Sequence, residues 1–232
     1  MLARCPTVSI KINGEPISAI HQVVRNLGVY FDANLSMSNH ISKVSSTAFT
    51  NIRLISRIRA SLSVNICKQL VHSLVFSHID YCGSLMYGIT KTLMARLQRI
   101  IHAAVRVCEK LKKEDNVTSH LKRYGWLPAE GRILKRALIL TYKVVHGDAP
   151  EYLKTLIDVP TPVLQESNSR ILRSQSQGNL PVHRCNSKLG ERAFSYFSQR
   201  LWNGLPSSIR DSPNINIFTH RLDAHLLQTF YC

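Results

Sequence analysis

The segment His78-Ile79-Asp80-Tyr81-Cys82 gathers an imidazole, a carboxylate, a phenol and a thiol within five residues. Those groups serve nucleophilic catalysis, but the nucleophile needs a base within hydrogen-bond reach and a third group to orient that base. Adjacent positions at a helix end rarely converge in that way, so the segment reads as packing or a turn. Metal chemistry has less support. The ten histidines show no paired ligand spacing, and none of the six cysteines (Cys5, Cys67, Cys82, Cys108, Cys185, Cys232) forms a Cys-x-x-Cys pair. No catalytic residue, metal site or cofactor is expected. The remaining chemistry is cationic. Lys43, Arg53 and Arg57 form one set at helical spacing, and Arg96, Arg99, Arg106, Lys110 and Lys113 form a second. Such stripes track phosphates while another face packs, although a plain solvated surface is the common fate of helix charges.

Composition points the same way. Thirty Lys and Arg against 14 Asp and Glu give a formal charge of +16, which calls for an anionic partner, most often nucleic acid. At 232 residues and 44% hydrophobic, the chain can bury a real core. Met1-Leu2-Ala3-Arg4-Cys5-Pro6 holds no apolar run of a signal peptide, and no stretch is apolar enough to span a bilayer. With reduced thiols, the expectation is an intracellular protein of nucleus or cytoplasm, neither secreted nor membrane-bound.

The elements that must position the cations follow from periodicity. Val8, Ile10 and Ile12 alternate with polar residues, Asn13-Gly14 suits a tight hairpin turn, and a further strand is expected at Val23 to Phe31, interrupted at Asn26-Leu27-Gly28. Three short strands cannot form a core easily, so this piece reads as the edge of something larger. From Ser38 onward, Ile41, Val44, Ala48, Ile52 and Ile55 share one helix face, with Lys43, Arg53 and Arg57 opposite. Ser61 or Ser63 can cap a second helix carrying Ile66, Leu70, Val71 and Leu74, ending before Asp80. Thr90 can cap a third, whose apolar face runs from Leu93 through Leu97, Ile100, Ala104 and Val107 to Leu111. A fourth begins near Pro128 and ends at Gly147, and Pro150 opens a short one over Glu151 to Ile157. Residues 158–190 are rich in Ser, Asn, Gln and Pro and read as a loop or linker. Phe194, Phe197, Leu201 and Trp202 suit an inward-facing helix, Leu205-Pro206 breaks it, and a last helix runs from about Ile215 to Phe230. Trp126 and Trp202 sit among Leu and Pro, which predicts burial rather than base stacking.

Several phrases then line up in one order: Leu27-Gly28-Val29 with Asp32, Leu35-Ser36, His40-Ile41, Ser77-His78-Ile79-Asp80-Tyr81-Cys82, Leu97-Gln98-Arg99 and Ala103-Ala104-Val105-Arg106. Trp126-Leu127-Pro128, Arg132-Ile133, Tyr142-Lys143, His146-Gly147-Asp148-Ala149-Pro150 with Glu151-Tyr152-Leu153, Arg192-Ala193-Phe194-Ser195, Leu201-Trp202-Asn203-Gly204-Leu205-Pro206 and Ile209-Arg210 complete the series. Together they resemble the C-terminal part of non-LTR retrotransposon (LINE) reverse transcriptases of the jockey-like and chicken-repeat-like types, over nearly the whole chain. The resemblance implies that the strands around Leu27 and Gly28 correspond to the palm's last hairpin, which grips the primer end. It also implies that the helices after His40 correspond to the thumb that holds the template–primer duplex. Relatives of that type carry a pair of metal-binding aspartates upstream; this sequence holds no Asp-Asp pair, and Asp32 is followed by Ala33-Asn34. A Cys/His knuckle found in some LINE proteins is also missing.

The expected fold is therefore mainly α. A palm-end β-element over 1–37 precedes a thumb-like helical domain over 38–157, a linker over 158–190 and a C-terminal helical region over 191–232. The expected function is nucleic-acid binding by a non-catalytic piece of an RNA-directed DNA polymerase, inactive alone. Its partners would be a primer–template, bound through the backbone, and an upstream polymerase segment. The alternative is a structural or interaction protein, or a non-functional pseudogene product, with no nucleic-acid role.

Overall fold

The computed structural model describes residues 10–12, 15–17, 23–157, 178–182 and 184–231, the first two stretches and their pairing by backbone alone except at Glu15. The expectations at Val8, Asn13-Gly14, Cys5, Cys232 and most of the 158–190 linker lie outside the described residues. The described chain is mainly helical, with short antiparallel hairpins at its N-terminal side. Strands β1 (Ile10–Ile12) and β2 (Glu15–Ile17) pair with Ile12 opposite Glu15. Strands β3 (Val23–Asn26) and β4 (Val29–Asp32) pair with Asn26 opposite Val29, so the expected interrupted strand is a second hairpin. Leu27 and Gly28 form its two-residue turn, both at positive φ, as a tight hairpin with right-handed strand twist requires.

The helices follow their local signals closely. α1 (Ser38–Ile58) buries Ile41, Val44, Ala48, Ile52 and Ile55, the face its spacing predicts. α2 (Val64–Val71) starts at Ser63, whose hydroxyl accepts from the Ile66 N–H at 3.3 Å. α4 (Lys91–Glu109) starts at Thr90, whose hydroxyl accepts from the Leu93 N–H at 3.4 Å. α6 (Ala129–His146) begins after Pro128 and ends at Gly147, whose φ of 85° an L side chain would resist.

The second helix departs from expectation. After α2 the chain makes a five-residue π-turn, His72–Phe76, and continues as α3 (Ser77–Asp80). α2 buries Cys67 and Val71 and leaves Ile66 exposed; the π-turn then brings Val75, Phe76 and Ile79 inward and leaves Leu74 exposed. Asn51 of α1 donates to the Leu74 carbonyl within that turn at 2.6 Å. The helix also runs through Asp80 rather than stopping before it.

Two apolar clusters organise the rest. The first gathers α1, α2, α4, α5 (Thr118–Tyr124), Trp126 and the start of α6 through Ala129 and Ile133. The second gathers Leu138, Tyr142 and Val144 of α6, Ile157 after α7 (Glu151–Leu156), and the C-terminal helices α8 (Phe194–Asn203), α9 (Ser207–Arg210) and α10 (Ile215–Tyr231). α6 is thus the shared spine, one half in each cluster. Trp126 and Trp202 are both buried, as their Leu and Pro neighbours predict. Tyr142 lies between Phe218 and His146, and its hydroxyl donates to the Ser212 carbonyl at 2.7 Å, which ties α6 to the loop before α10.

His40 on α1 is 3% exposed, and neither ring nitrogen has a hydrogen-bond partner. Burial holds its pKa below the ordinary value near 6.5. Burial, reinforced by Arg106, lowers His102 as well. As pH falls below that ordinary value, the unfolded chain takes up protons at these positions before the folded one does. Stability should therefore hold above the ordinary value and decline as pH falls through the depressed folded values. Urea unfolding midpoints between about pH 7 and pH 5 test this: the midpoint should drop with acid, and His40→Leu should flatten the drop. An equal slope in that variant would remove His40 from the account.

Candidate nucleic-acid interface

Two contacts set α1 and α4 side by side and parallel. Near their N-terminal ends, Arg96 donates to the Ser42 hydroxyl at 2.9 Å. At their C-terminal ends, Arg59 reaches from the 3₁₀ turn after α1 (Arg59–Ser61) to the last carbonyls of α4. Its guanidinium donates to Val107 O at 2.9 Å, to Cys108 O at 2.5 Å and to Leu62 O at 2.6 Å. Arg59 is 8% exposed. It continues the apolar row of α1, four residues beyond Ile55, and that cation in an apolar register was the sequence signal for its role.

Parallel packing brings the two cation sets to one seam. Ser42, Ser46, Arg53 and Ser56 fall on one side of α1, and Ser42 and Ser56 mark that side as the one beside α4. Lys43, Arg53 and Arg57 are exposed there or next to it. Across the seam, Arg99 is exposed and Arg96 and Arg106 are half-buried. Near the C-terminal ends, Ser56, Arg59, Arg106 and Lys110 line a shallow cleft between the helices. From residue 33 to residue 108 the chain holds nine Lys and Arg and one acidic residue, Asp80. Asp80 is itself sealed by Arg132 and Arg136, and the next carboxylates, Glu109, Glu114 and Asp115, come only at the C-terminal end of the seam.

The second stripe is not one continuous helix face. α4 ends at Glu109, Lys110 takes a left-handed C-cap at φ 55°, and Lys113 and Leu111 belong to the turn beyond it. That turn folds back so that Lys112 O and Lys113 O accept from the Arg106 guanidinium at 3.3 and 3.1 Å. Lys110 and Lys113 remain exposed, but they are held by Arg106 rather than by helical register. The cluster of charged and polar residues from Lys112 to Asn116 was the available signal for this early end.

Comparison with protein-family models, with curated proteins and with solved structures finds no match.

Leu27 and Gly28 stand apart from the seam, at the hairpin tip. The Tyr81 hydroxyl donates to Leu27 O at 2.5 Å, and a Cβ on Gly28 would meet the Tyr81 ring at 3.4 Å. The strands of that hairpin do reach the seam: Val23 and Tyr30 share a cleft with Ser42 and Lys43. Leu27 is 83% exposed at φ 45°, a left-handed conformation that costs a branched side chain about 1 kcal/mol. Leu27→Gly relieves that strain but adds about 0.4–1 kcal/mol of unfolded-state entropy, so the two largely cancel and the urea midpoint should stay nearly unchanged. A lower midpoint would mean that the exposed side chain contributes more than its backbone strain costs.

The remaining chemical groups are structural. Asp32 accepts from Ser36 N, Asn34 N and the Ser36 hydroxyl at 3.0, 3.1 and 2.8 Å, pinning the loop into α1. Burial pushes its carboxyl up, but these hydrogen bonds outweigh it and hold the pKa below the usual range. In the His78–Cys82 segment, Asp80 pairs with arginines, Tyr81 holds the hairpin and Cys82 turns the chain at φ 51°. Among the described residues, no three His, Cys, Asp or Glu side chains are grouped to hold a metal ion, and no helix is long and apolar enough to cross a membrane.

Proposed function

We propose that this chain binds nucleic acid through its phosphate backbone, as a non-catalytic, thumb-like part of a LINE-type reverse transcriptase. The observation that carries the binding reading is the α1–α4 seam, flanked by cations from both helices and free of acidic side chains from residue 33 to 108 except the sealed Asp80. Cations fixed along two parallel helices match a row of phosphates without reading bases. The β3–β4 hairpin, which shares a cleft with Ser42 and Lys43 at the start of α1, suits the primer-grip role that the resemblance implies. The order of sequence phrases supports the family; no carboxylate pair supports catalysis by this chain.

The test is the affinity for a labelled primer–template as a function of salt. Each phosphate contact contributes about 0.9 to the log–log slope for duplex DNA. Arg53→Glu with Arg57→Glu should lower the slope by about two units and weaken binding, with far-UV dichroism unchanged because both side chains are exposed. Arg99→Glu should act in the same direction from the opposite bank. A slope near zero, or equal slopes in the variants, overturns the proposal. The exposed apolar side chains Leu54, Ile58, Ile66 and Leu74 favour a second reading, a protein-interaction module, which such a result would promote.

A further inference from the structure

A further cleft, of about 420 Å³, opens where the turn before α4, the start of α6 and the segment leading into α8 meet. Small-molecule sites run from about 300 to 1,000 Å³, with apolar walls and a few polar groups. Here Ile89, Met94 and Leu134 supply the apolar wall, with Tyr87 and Tyr196 beside them and Ile133 and Phe197 almost wholly buried behind. Five ionic side chains line it as well: Glu130, Lys188, Glu191, Arg192 and Arg200. Among the described residues, no salt bridge joins any of the five. Charges of both signs that share a cleft and do not pair leave donors and acceptors open to a ligand.

Two of these groups are held in place from behind. Arg192 donates through Nε to Tyr87 O at 3.2 Å. Gly88 has φ +69°, and a Cβ there would lie 2.7 Å from the Arg192 side chain, so glycine lets the arginine lie across the turn. Arg200 donates to the Tyr196 hydroxyl at 3.1 Å. Tyr87 stacks on Phe197 with ring centroids 4.2 Å apart. Burial pushes the Tyr87 phenol up, Arg200 opposes that, and Glu130 and Glu191 reinforce it, so these charges act on one point.

We propose that this cleft binds a nucleoside monophosphate, either free or as the phosphorylated end of a strand. The base lies on the apolar wall beside the tyrosines, its amino edge faces Glu130 or Glu191, and the phosphate meets Arg192, Arg200 and Lys188. Flat aromatic surface, hydrogen-bond donors and an anion are the three features that the lining asks for together. The site is separate from the α1–α4 seam: Met94 lies five residues before Arg99 on α4, about 140° around the helix.

The experiment is calorimetric titration of the full chain with AMP, adenosine and inorganic phosphate. AMP should bind at least tenfold more tightly than either half. Lys188→Glu with Arg200→Glu, both exposed, should weaken AMP at least tenfold with dichroism unchanged. Met94→Trp, which fills the wall, should weaken adenosine and AMP alike. Arg53→Glu with Arg57→Glu should leave AMP affinity unchanged, which separates this site from the seam. Displacement of AMP by a 5′-phosphorylated single strand, but not by its unphosphorylated twin, assigns the ligand to a strand end; no displacement by either assigns it to the free nucleotide. Absence of AMP binding, or equal affinity for AMP and phosphate, overturns the proposal.

Discussion

Arg59→Ala should destabilise the protein by about 3 kcal/mol and disturb both helices that carry the basic seam. The side chain is 8% exposed and serves three carbonyls, Leu62 O, Val107 O and Cys108 O. Two of those belong to the last turn of α4, where carbonyls lack intrahelical donors and carry the negative end of the helix dipole. A guanidinium there satisfies the carbonyls and opposes the dipole together. Removing it leaves buried acceptors without donors, and each such group costs about 1–3 kcal/mol. For a chain of this size the loss corresponds to a fall of roughly 6–12 °C in the melting temperature. Arg59→Lys should retain part of the stability, since it keeps the charge but not the planar fork. Because Arg59 joins the C-terminal ends of α1 and α4 and lines the cleft between them, the proposed primer–template affinity should fall with it. Thermal unfolding followed by dichroism reads the first effect; a loss under about 1 kcal/mol would show that water can take the place of the guanidinium.

Asp80→Ala should cost about 3 kcal/mol. Arg132 donates to both carboxylate oxygens, at 2.9 and 2.6 Å, and its guanidinium lies 4.2 Å from the centre of the Phe76 ring. The side chains of Asp80 and Arg132 are only 14% and 12% exposed, so deleting the acid strands a nearly buried cation. Arg136 adds a third contact at 2.9 Å, but its side chain is 48% exposed and water screens the pair. Arg136→Ala should therefore cost under about 1 kcal/mol. The contrast is the test: chemical denaturation should rank Asp80→Ala far below Arg136→Ala. Comparable losses for both would mean that the pairing acts as an ordinary surface network.

Local chemistry was legible wherever one segment decides its own conformation. Ile41 to Ile55 repeat at three and four residues, and those side chains form the buried face of α1. Thr90 and Ser63 cap the helices that begin after them, and Pro128 and Gly147 bound α6, because caps and breakers act within a few residues. α5 escaped notice because seven residues are too few for a period to show, and its Val117 and Leu121 are buried by neighbours far along the chain.

What the sequence determined by itself was the helical class, most helix boundaries, the inward face of α1, and the excess of positive charge. What only the tertiary structure decided was where that charge gathers. Lys43 and Arg99 lie 56 residues apart in the chain, and nothing local says whether their helices run parallel. Arg59 and the Arg96–Ser42 contact settle it, and those depend on distant backbone carbonyls and a hydroxyl that no periodicity reports. The same holds for the π-turn at His72–Phe76, which places Val75 and Ile79 in the core and leaves Leu74 outside. A helix alone would keep its regular period; packing against α1 and α4 rewards the rotated face with deeper burial, and that reward exists only once the partners are in place.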